Sequence, residues 1–594
     1  MRSDQYKPRT RALRVYAFDP SRQSKLDRHL IVRVPYEILK KGPSGELVEV
    51  VDYDACNRCY YPGINLDDDV IAGQLGHRPS ESDPEFHQQM VYAIVMDTIR
   101  RFESALGRKI KWRNAENGQN AKGRPARKLR IFPHAMQEAN AFYDPRRHAL
   151  LFGYFTAAEG ESGVNLPGQT IFTCLSQDII IHETTHAILD NIRDHFDEPT
   201  GPDAAAFHEG FADIIALLQH FSFRATLLDT IQRTGGGIHR SSLTPDIIAV
   251  KDGPIIQAEV AEDNPMVELA RQFGEAIGNR RALRHALGTA PNPELLKRSF
   301  EPHERGGILV AAIFDAFFSV YVQRTRDLFR IAYPDGRSVV PNFLHNDLAV
   351  RLADAAAKTA ARLQNICIRA LDYCPPVDIT FGDYLRALIT SDRAVLEDDL
   401  GFRTALIRSF RARGIQPEGV RSYAEEEIAW KQVEDKKYPS QRWIWGYLNR
   451  YEEEFTKKYL KEFRERMERI AYLVKEDLGF PGAPIDLGPW NTIHRVMPDG
   501  SLQPQIIAQF LQSREETVDL DGVKLPFTFR GGTTLIFDRE GCIQYSIAKS
   551  IGNQSRLEAQ KQYLTQRAYG FPLAPYADFD PSRDTSFRAI HRGY

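Results

Sequence analysis

The sequence is poor in the features that would set it apart from ordinary globular chains. Its formal net charge is only −2, so electrostatics imply neither a polyanion nor an anionic membrane as partner, and no nucleic-acid partner is expected. No apolar run reaches the roughly 18 residues that a membrane helix needs. The nearest, 306–322, is interrupted by Asp315 and reads as a buried helix. Residues 1–8 carry no apolar stretch, so no signal peptide and a cytoplasmic location are expected. Cysteine is scarce, with six residues at 56, 59, 174, 367, 374 and 542. Cys56-Asn-Arg-Cys59 is a lone pair with no second pair to complete a metal or redox motif, and reduced thiols are expected in place of disulfides. A hydrophobic share of 42% over 594 residues is ample for packed cores and predicts two to four domains.

What the sequence does have is concentrated between Asp178 and Asp213. The first part reads Asp178-Ile-Ile-Ile-His182-Glu183-Thr-Thr-His186. Histidines four apart project from one face of a helix and can hold one ion. Neutral imidazoles suit zinc, and Glu183 between them is placed to take a proton from a metal-bound water. The second part reads Phe207-His-Glu209-Gly-Phe-Ala-Asp213. A catalytic zinc site takes three protein ligands and leaves one position open, and Glu209 supplies the third. Asp213, one turn further on, can accept the free ring N–H of a liganding histidine. The apolar neighbours Phe207, Phe211, Ala212, Ile214 and Ile215 mean that these acids are buried and need partners.

With HExxH followed by ExxxD on a second helix, the chain resembles the thermolysin-like zinc peptidases of the gluzincin group over about residues 86–416. The resemblance implies one zinc per chain on His182, His186 and Glu209, with Glu183 as general base. Asp178 matches an acid that the family places four residues before the motif. Asn140-Ala141-Phe-Tyr resembles the family's edge strand, where the asparagine and the next residue's carbonyl hold an extended peptide as an added strand. His303, just before the apolar helix and followed by Gly307-Ile308, resembles the histidine that donates to the developing oxyanion. The implied activity is a zinc-dependent endopeptidase acting on a peptide or protein.

Some of the family's features are missing. No tyrosine lies between His186 and Glu209 to serve as a second oxyanion donor, and Thr200 has the nearest spacing. No aspartate sits at the expected offset to orient His303, where Glu301 is the nearby acid. No acidic calcium-binding cluster follows Glu209. The competing reading is a weak or inactive metal-binding scaffold that acts through protein interaction, but an intact Glu183 counts against it. No acidic amine-anchoring motif supports an exopeptidase.

The expected fold class is α+β: a two-lobed zincin with a C-terminal helical and antiparallel-β accessory region. The chain divides into a strand and loop region (1–85), a zinc-site α+β lobe (86–220), a mainly helical lobe (221–416) and the accessory region (417–594). Helical spacing of apolar residues predicts a helix from Phe86 to Leu106, stopped by Gly107. Strands are expected at Ile110-Lys-Trp and at 128–132, and residues 140–153 read as a hairpin around an Asp-Pro turn. Residues 220–300 read as mainly helical, with breaks at Gly235-Gly-Gly237 and Pro291-Asn-Pro293. Helices are expected at 345–365, 380–392 and 402–413, with Thr380 and Asp383 as a cap. Residues 423–476 read as a charged helix carrying Trp430, Trp443, Trp445, Tyr447, Tyr451, Phe455, Tyr459 and Phe463. Beyond about 488, alternating strands joined at Pro498-Asp-Gly500 and Asp538-Arg-Glu-Gly541 suggest a small antiparallel sheet. A protein partner is expected, if anywhere, through this last region.

Overall fold

The computed structural model describes residues 8–17, 20, 29–112, 128–157, 168–233, 291–332, 344–396, 398, 401–434, 438, 440–441, 465–470, 484–497 and 499–568. The glycine break at 235–237, Pro498 and the seven aromatic residues from Trp443 to Phe463 lie outside them. The architecture is α+β. Strands β1 (Thr10–Tyr16) and β2 (His29–Pro35) pair antiparallel. A larger sheet contains β3 (Val48–Val50), β6 (Leu129–Met136), β7 (Ala141–Asp144), β8 (Ala149–Thr156) and β9 (Thr170–Phe172), in the order β3-β6-β8-β7 with β9 also on β8. The small hairpin β4 (Tyr53–Asp54) and β5 (Cys59–Tyr60) sits between β3 and β6 in sequence. Because β3 pairs in parallel with β6, the N-terminal region belongs to the same sheet as the hairpin, and residue 85 is not a packing boundary. Ile110-Lys-Trp is irregular backbone, not the expected strand.

Helix α1 (Asp69–Gly73) is short, whereas α2 (Pro84–Leu106) is the long helix that the apolar spacing predicts. The Asp83 side chain caps the start of α2, and Gly107 ends it at φ +69°. That left-handed conformation favours glycine, and an added Cβ there would also lie 2.5 Å from the carbonyl of His494. Helix α3 (Gln177–Ile192) carries HExxH and α4 (Pro202–Phe221) carries the later acids. α3 is rich in β-branched residues, which are not strong helix formers. Its Thr184 and Thr185 hydroxyls donate to the carbonyls of Ile180 and Ile181 at 2.6 and 2.8 Å. The helix is buried on nearly all sides, and its buried residues include the polar Gln177, Asp178, His182, Glu183, Thr184, Thr185 and His186.

The helical part contains α5 (Arg224–Arg233), α6 (Pro293–Arg298), α7 (Pro302–Ala332), α8 (Asn346–Ala370), α9 (Phe381–Arg393), α10 (Phe402–Ala412) and α11 (Glu425–Ile428). α7 is long and apolar enough to cross a membrane, but its most apolar window is 78% buried among the other helices. Its one interior acid, Asp315, is paired with Arg413 at 2.6 Å. Thr380 and Asp383 form the expected reciprocal cap on α9.

The C-terminal strands β10 (Asp486–Val496), β11 (Leu502–Leu520), β12 (Val523–Phe537) and β13 (Ile543–Lys549) form one antiparallel sheet in sequence order, followed by α12 (Gln554–Ala568). Alternation decides which side chains face inward. Ile507, Ile536, Tyr545 and Ile547 join the main core, while Ile506, Ala508, Leu535 and Ile543 form a separate outer cluster with Met467 and Ile470. Polar ties reinforce the inner face. The buried Arg193, just past α3, donates to Thr534 at 3.2 Å, and Gln509 donates to the carbonyl of Ile192 at 3.3 Å. Lys549–Asp383, Arg556–Asp378 and Arg530–Glu198 each lie at 2.7 Å. Buried residues on both sides of the boundary at 417 therefore share one core.

Two outcomes follow from this packing. A chain truncated at residue 418 loses its cover over Arg193 and Asp372, exposes the core face met by Ile507 and Ile536, and is recovered as insoluble protein; a soluble truncated chain with native circular dichroism would refute this. Burial works against ionisation of Glu198, but its hydrogen bonds and attraction to His195 and Arg530 prevail and hold its carboxyl below the ordinary range. A depressed folded value means stability that is complete above the ordinary glutamate pKa and is lost as pH falls through and below it. Glu198→Gln is therefore expected to flatten the acid limb of a Tm-against-pH curve, with the wild-type advantage confined to higher pH.

Candidate metal centre

Three helices meet at the candidate site. α3 supplies His182, Glu183 and His186, α4 supplies His208, Glu209 and Asp213, and the start of α7 supplies His303. The helices are brought together by an unusually close crossing. A Cβ added at Gly210 of α4 would lie 2.8 Å from the carbonyl of Gly306 in α7, and one added at Gly306 would lie 2.9 Å from the carbonyl of Ala206. Only glycine permits this approach. Asp203, in the first turn of α4, accepts from Arg305 at 2.6 Å and from the Phe381 N–H at 2.9 Å, which fixes the same two helix ends.

The side chains of the ligand triad converge. His182 Nε2 and His186 Nε2 are 2.9 Å apart, and Glu209 Oε2 lies 3.4 and 3.5 Å from them. All three are almost fully buried. Asp213 Oδ1 holds His182 Nδ1 at 2.8 Å, the contact expected of an outer carboxylate. His186 Nδ1 meets His208 Nδ1 at 2.7 Å, with the two rings stacked at 4.8 Å. When His182 donates to Asp213 and His186 donates to His208, both Nε2 atoms present bare lone pairs toward Glu209. Burial opposes charge on His182, yet Asp213 and Glu209 outweigh it and hold the ring well above the ordinary histidine range. Burial drives His186 well below that range, against the pull of Glu209. Two imidazole nitrogens and a carboxylate buried within this distance suit a borderline divalent cation such as zinc.

Glu183 lies beside the triad, and its Oε2 accepts the Tyr143 main-chain N–H at 2.9 Å. The Tyr143 hydroxyl donates to Asp190 at 2.8 Å, so β7 is stapled along α3 at two points. β7 pairs with β8 through its even-numbered residues, as the Gly153 N–H to Asn140 carbonyl bond at 2.8 Å shows. The main-chain groups of Ala141 and Tyr143 therefore point the other way, toward the site. Asn140 is only 5% exposed, and neither atom of its side-chain amide has a hydrogen-bond partner among the described residues. A buried amide left unpaired is costly.

His303 presents Nε2 to the triad, 3.4 Å from Glu209 Oε2. Its Nδ1 is held by Glu301 at 2.9 Å, and the other oxygen of Glu301 accepts from the Glu304 N–H at 2.7 Å. Glu301 thus does the orienting that the sequence did not place on an aspartate. Burial disfavours the charged ring, but Glu209 and Glu301 together raise His303 above the ordinary range, toward a form that donates from both nitrogens. Asp178, one turn before His182, pairs with His220 at 3.2 Å and makes its contact there. Thr200, on the turn before α4, is buried, and its hydroxyl has no hydrogen-bond partner among the described residues. Among the described residues it makes no hydrogen bond to the triad that would mark it as a substitute for the absent tyrosine. Two contributors escaped the sequence reading. His208 was visible only as a second polar residue beside Glu209, and Tyr143 acts through a main-chain group.

No protein-family model matches this chain, and no curated protein matches it in sequence.

The helix crossing gives a direct test of the site's geometry. Gly306→Ala should force α4 and α7 apart, at about 1–3 kcal/mol of stability, and displace His303 from Glu209. The variant is expected to bind a divalent metal at this site less tightly than the wild type. Unchanged metal affinity would show that the close approach is not what sets the site.

Proposed function

We propose that this protein is a zinc-dependent endopeptidase of the thermolysin-like kind, acting on extended segments of peptide or protein. The observation that carries the reading is the convergence of His182, His186 and Glu209 beside Glu183, with the Glu183 carboxylate hydrogen-bonded to the edge strand β7. A metal-binding scaffold needs the triad, but it needs neither a base next to it nor a strand edge aimed at it.

The residues that would hold the ion are His182, His186 and Glu209, with Asp213 and His208 fixing the orientation of the two rings. Zinc bound there would supply Lewis-acid polarisation and an acidified water. Glu183 is the proton acceptor. Its second-oxygen contact with the Tyr143 N–H keeps the carboxylate turned toward β7, where the scissile bond of an added strand would run. Asn140 offers its unpaired amide to the peptide backbone, and the outward main-chain groups of Ala141 extend the pairing. His303, held by Glu301 and biased toward its protonated form, donates to the oxygen that gains charge as the carbonyl becomes tetrahedral. The proton taken by Glu183 is then available for the departing amine. A protein partner bound through the C-terminal region would meet the outer parts of its sheet, because the inner face is buried in the shared core.

The reading is tested by metal analysis and cleavage of a random peptide library, with wild type beside Glu183→Gln. Wild type should carry metal at this site and hydrolyse internal bonds. Glu183→Gln should retain that metal and lose about 100-fold or more in kcat, whereas Glu209→Ala should lose the metal. Equal turnover by the Gln variant would overturn the role of Glu183, and a wild type inert toward every library peptide would favour the scaffold.

A further inference from the structure

A second cluster of ligand-type side chains lies where the turn before α3 meets the start of α2 and the end of β6, outside everything assigned above. His87 in the first turn of α2, His134 near the end of β6 and Cys174 in the turn before α3 bring one donor atom each to within 4.8 Å of one another. All three are buried, with relative exposures of 1%, 2% and 0%. His87 Nδ1 and His134 Nε2 face each other at 2.9 Å, the same separation as the two Nε2 atoms of His182 and His186.

The surroundings fix the protons on these rings. His87 Nε2 lies 3.1 Å from the main-chain carbonyl of Glu81, which can only accept. His134 Nδ1 lies 2.7 Å from Asp52 Oδ1, and the other oxygen of Asp52 accepts from Gln88 at 2.8 Å. Each neutral ring therefore spends its N–H outward, on an oxygen acceptor, and turns a bare lone pair inward. Two inward lone pairs at hydrogen-bond distance repel unless a cation lies between them. Outward N–H groups held by a carbonyl and a carboxylate are the supports that metal-ligating histidines use. The sulfur of Cys174 completes the set, and Phe172 and Tyr61 pack edge-on against the His134 ring while Phe172 also lies tilted against His87.

We propose that His87, His134 and Cys174 form a second, structural transition-metal site, with zinc as its ion. Two imidazoles and a thiolate suit zinc and exclude the hard cations calcium and magnesium. On binding, the Cys174 thiol gives up its proton to solvent as the sulfur–metal bond forms, with no redox change. Among the described residues no fourth side chain joins the group. The ion would fasten four separate segments: the chain after β3 through Asp52, the start of α2, the end of β6, and the turn into α3. The neighbouring Thr173 hydroxyl accepts from the Gly153 N–H at 3.0 Å and donates to the Gly153 carbonyl at 2.9 Å. Fixing this turn therefore also fixes the strand β8 on which β7, and with it Asn140, is hung.

Cobalt substitution of the full-length chain tests the site, because only a thiolate ligand gives cobalt(II) an intense near-ultraviolet charge-transfer band. The exposed Cys56 and the half-buried Cys59 are first replaced with Cys56→Ser and Cys59→Ser, since this pair could bind cobalt adventitiously. In this background the cobalt-loaded protein should show the band, and metal analysis should give about two ions per chain. Adding Cys174→Ser should abolish the band and remove one ion, while His186→Ala should remove one ion and leave the band. The last variant separates this site from the peptidase reading, since losing the triad's metal must not touch the thiolate signal. Absence of the band in the Cys56→Ser, Cys59→Ser protein would overturn the proposal even if Cys174→Ser fails to fold. So would a band that survives Cys174→Ser, or one that disappears with His186→Ala.

Discussion

The helix crossing at Gly210 and Gly306 is the constraint on which the candidate site depends. Glu209 is one residue before Gly210, and His303 is three residues before Gly306. Both side chains therefore leave their helices within a turn of the contact, and the distance between α4 and α7 sets the distance between them. Helices with side chains at the crossing pack about 8–10 Å apart, and a pair of facing glycines allows a closer approach. The Arg305–Asp203 pair prevents the two helix starts from splaying, so the crossing cannot pivot away from α3. Burying Glu209, Asp213 and Glu183 together would be prohibitive without positive charge among them. The imidazoles of His182, His186 and His303 answer that requirement in part, and a divalent ion would answer it further.

The same economy governs how the C-terminal sheet is attached. Arg193 follows directly on the end of α3 and is 1% exposed. Burial lowers its pKa, with Asp372 and Cys374 among the groups that pull the other way. Its hydrogen bonds go to Thr534 and to the Leu371 carbonyl, so the helix carrying HExxH ends against β12. Asp372 is likewise engaged from two sides, by both terminal nitrogens of Arg108 at 2.9 Å and by Arg495 of β10 at 3.8 Å. Charges this deep are tolerated only as complete sets, so removing the sheet does not merely uncover apolar surface. It also takes Thr534 from Arg193 and Arg495 from Asp372 at the foot of the candidate catalytic helix.

Local chemistry was legible in the sequence, and partnerships between distant segments were not. The end of α2 was readable because Gly107 must adopt a left-handed conformation, and the cap on α9 because Thr380 and Asp383 satisfy each other three residues apart. The β7–β8 hairpin and the two-helix arrangement of the site acids followed from alternation and from 3.6-residue spacing. The unity of the core did not, since whether an amphipathic sheet covers its own helix or a neighbouring lobe is not written in its period. The longest hairpin, β11–β12, turns at Asp521-Gly522, both at positive φ, a strong local signal that lay between strands judged only as a group. Glu301 was visible only as the acid nearest to His303, because an offset taken from resemblance says nothing of a helix start that curls back on itself.

The two histidine pairs show how far that limit reaches. His182 and His186 are four residues apart on one helix, so their meeting is dictated by helix geometry and any reader of the sequence can find it. His87 and His134 are separated by 47 positions and lie on a helix and a strand. Nothing in their spacing connects them, and Cys174 looked like one of six scattered thiols. Yet three-dimensional placement gives the two pairs the same logic. In each, an oxygen or nitrogen acceptor outside the pair takes one ring N–H, the opposite nitrogens turn inward, and a third donor closes the set. A tautomer is assigned by what lies behind the ring, so the outer acceptors Asp213 and Asp52 matter as much as the ligands they support. This is why Asp213, four residues after a ligand, could be read from sequence, while Asp52, more than thirty residues before the nearest one, could not.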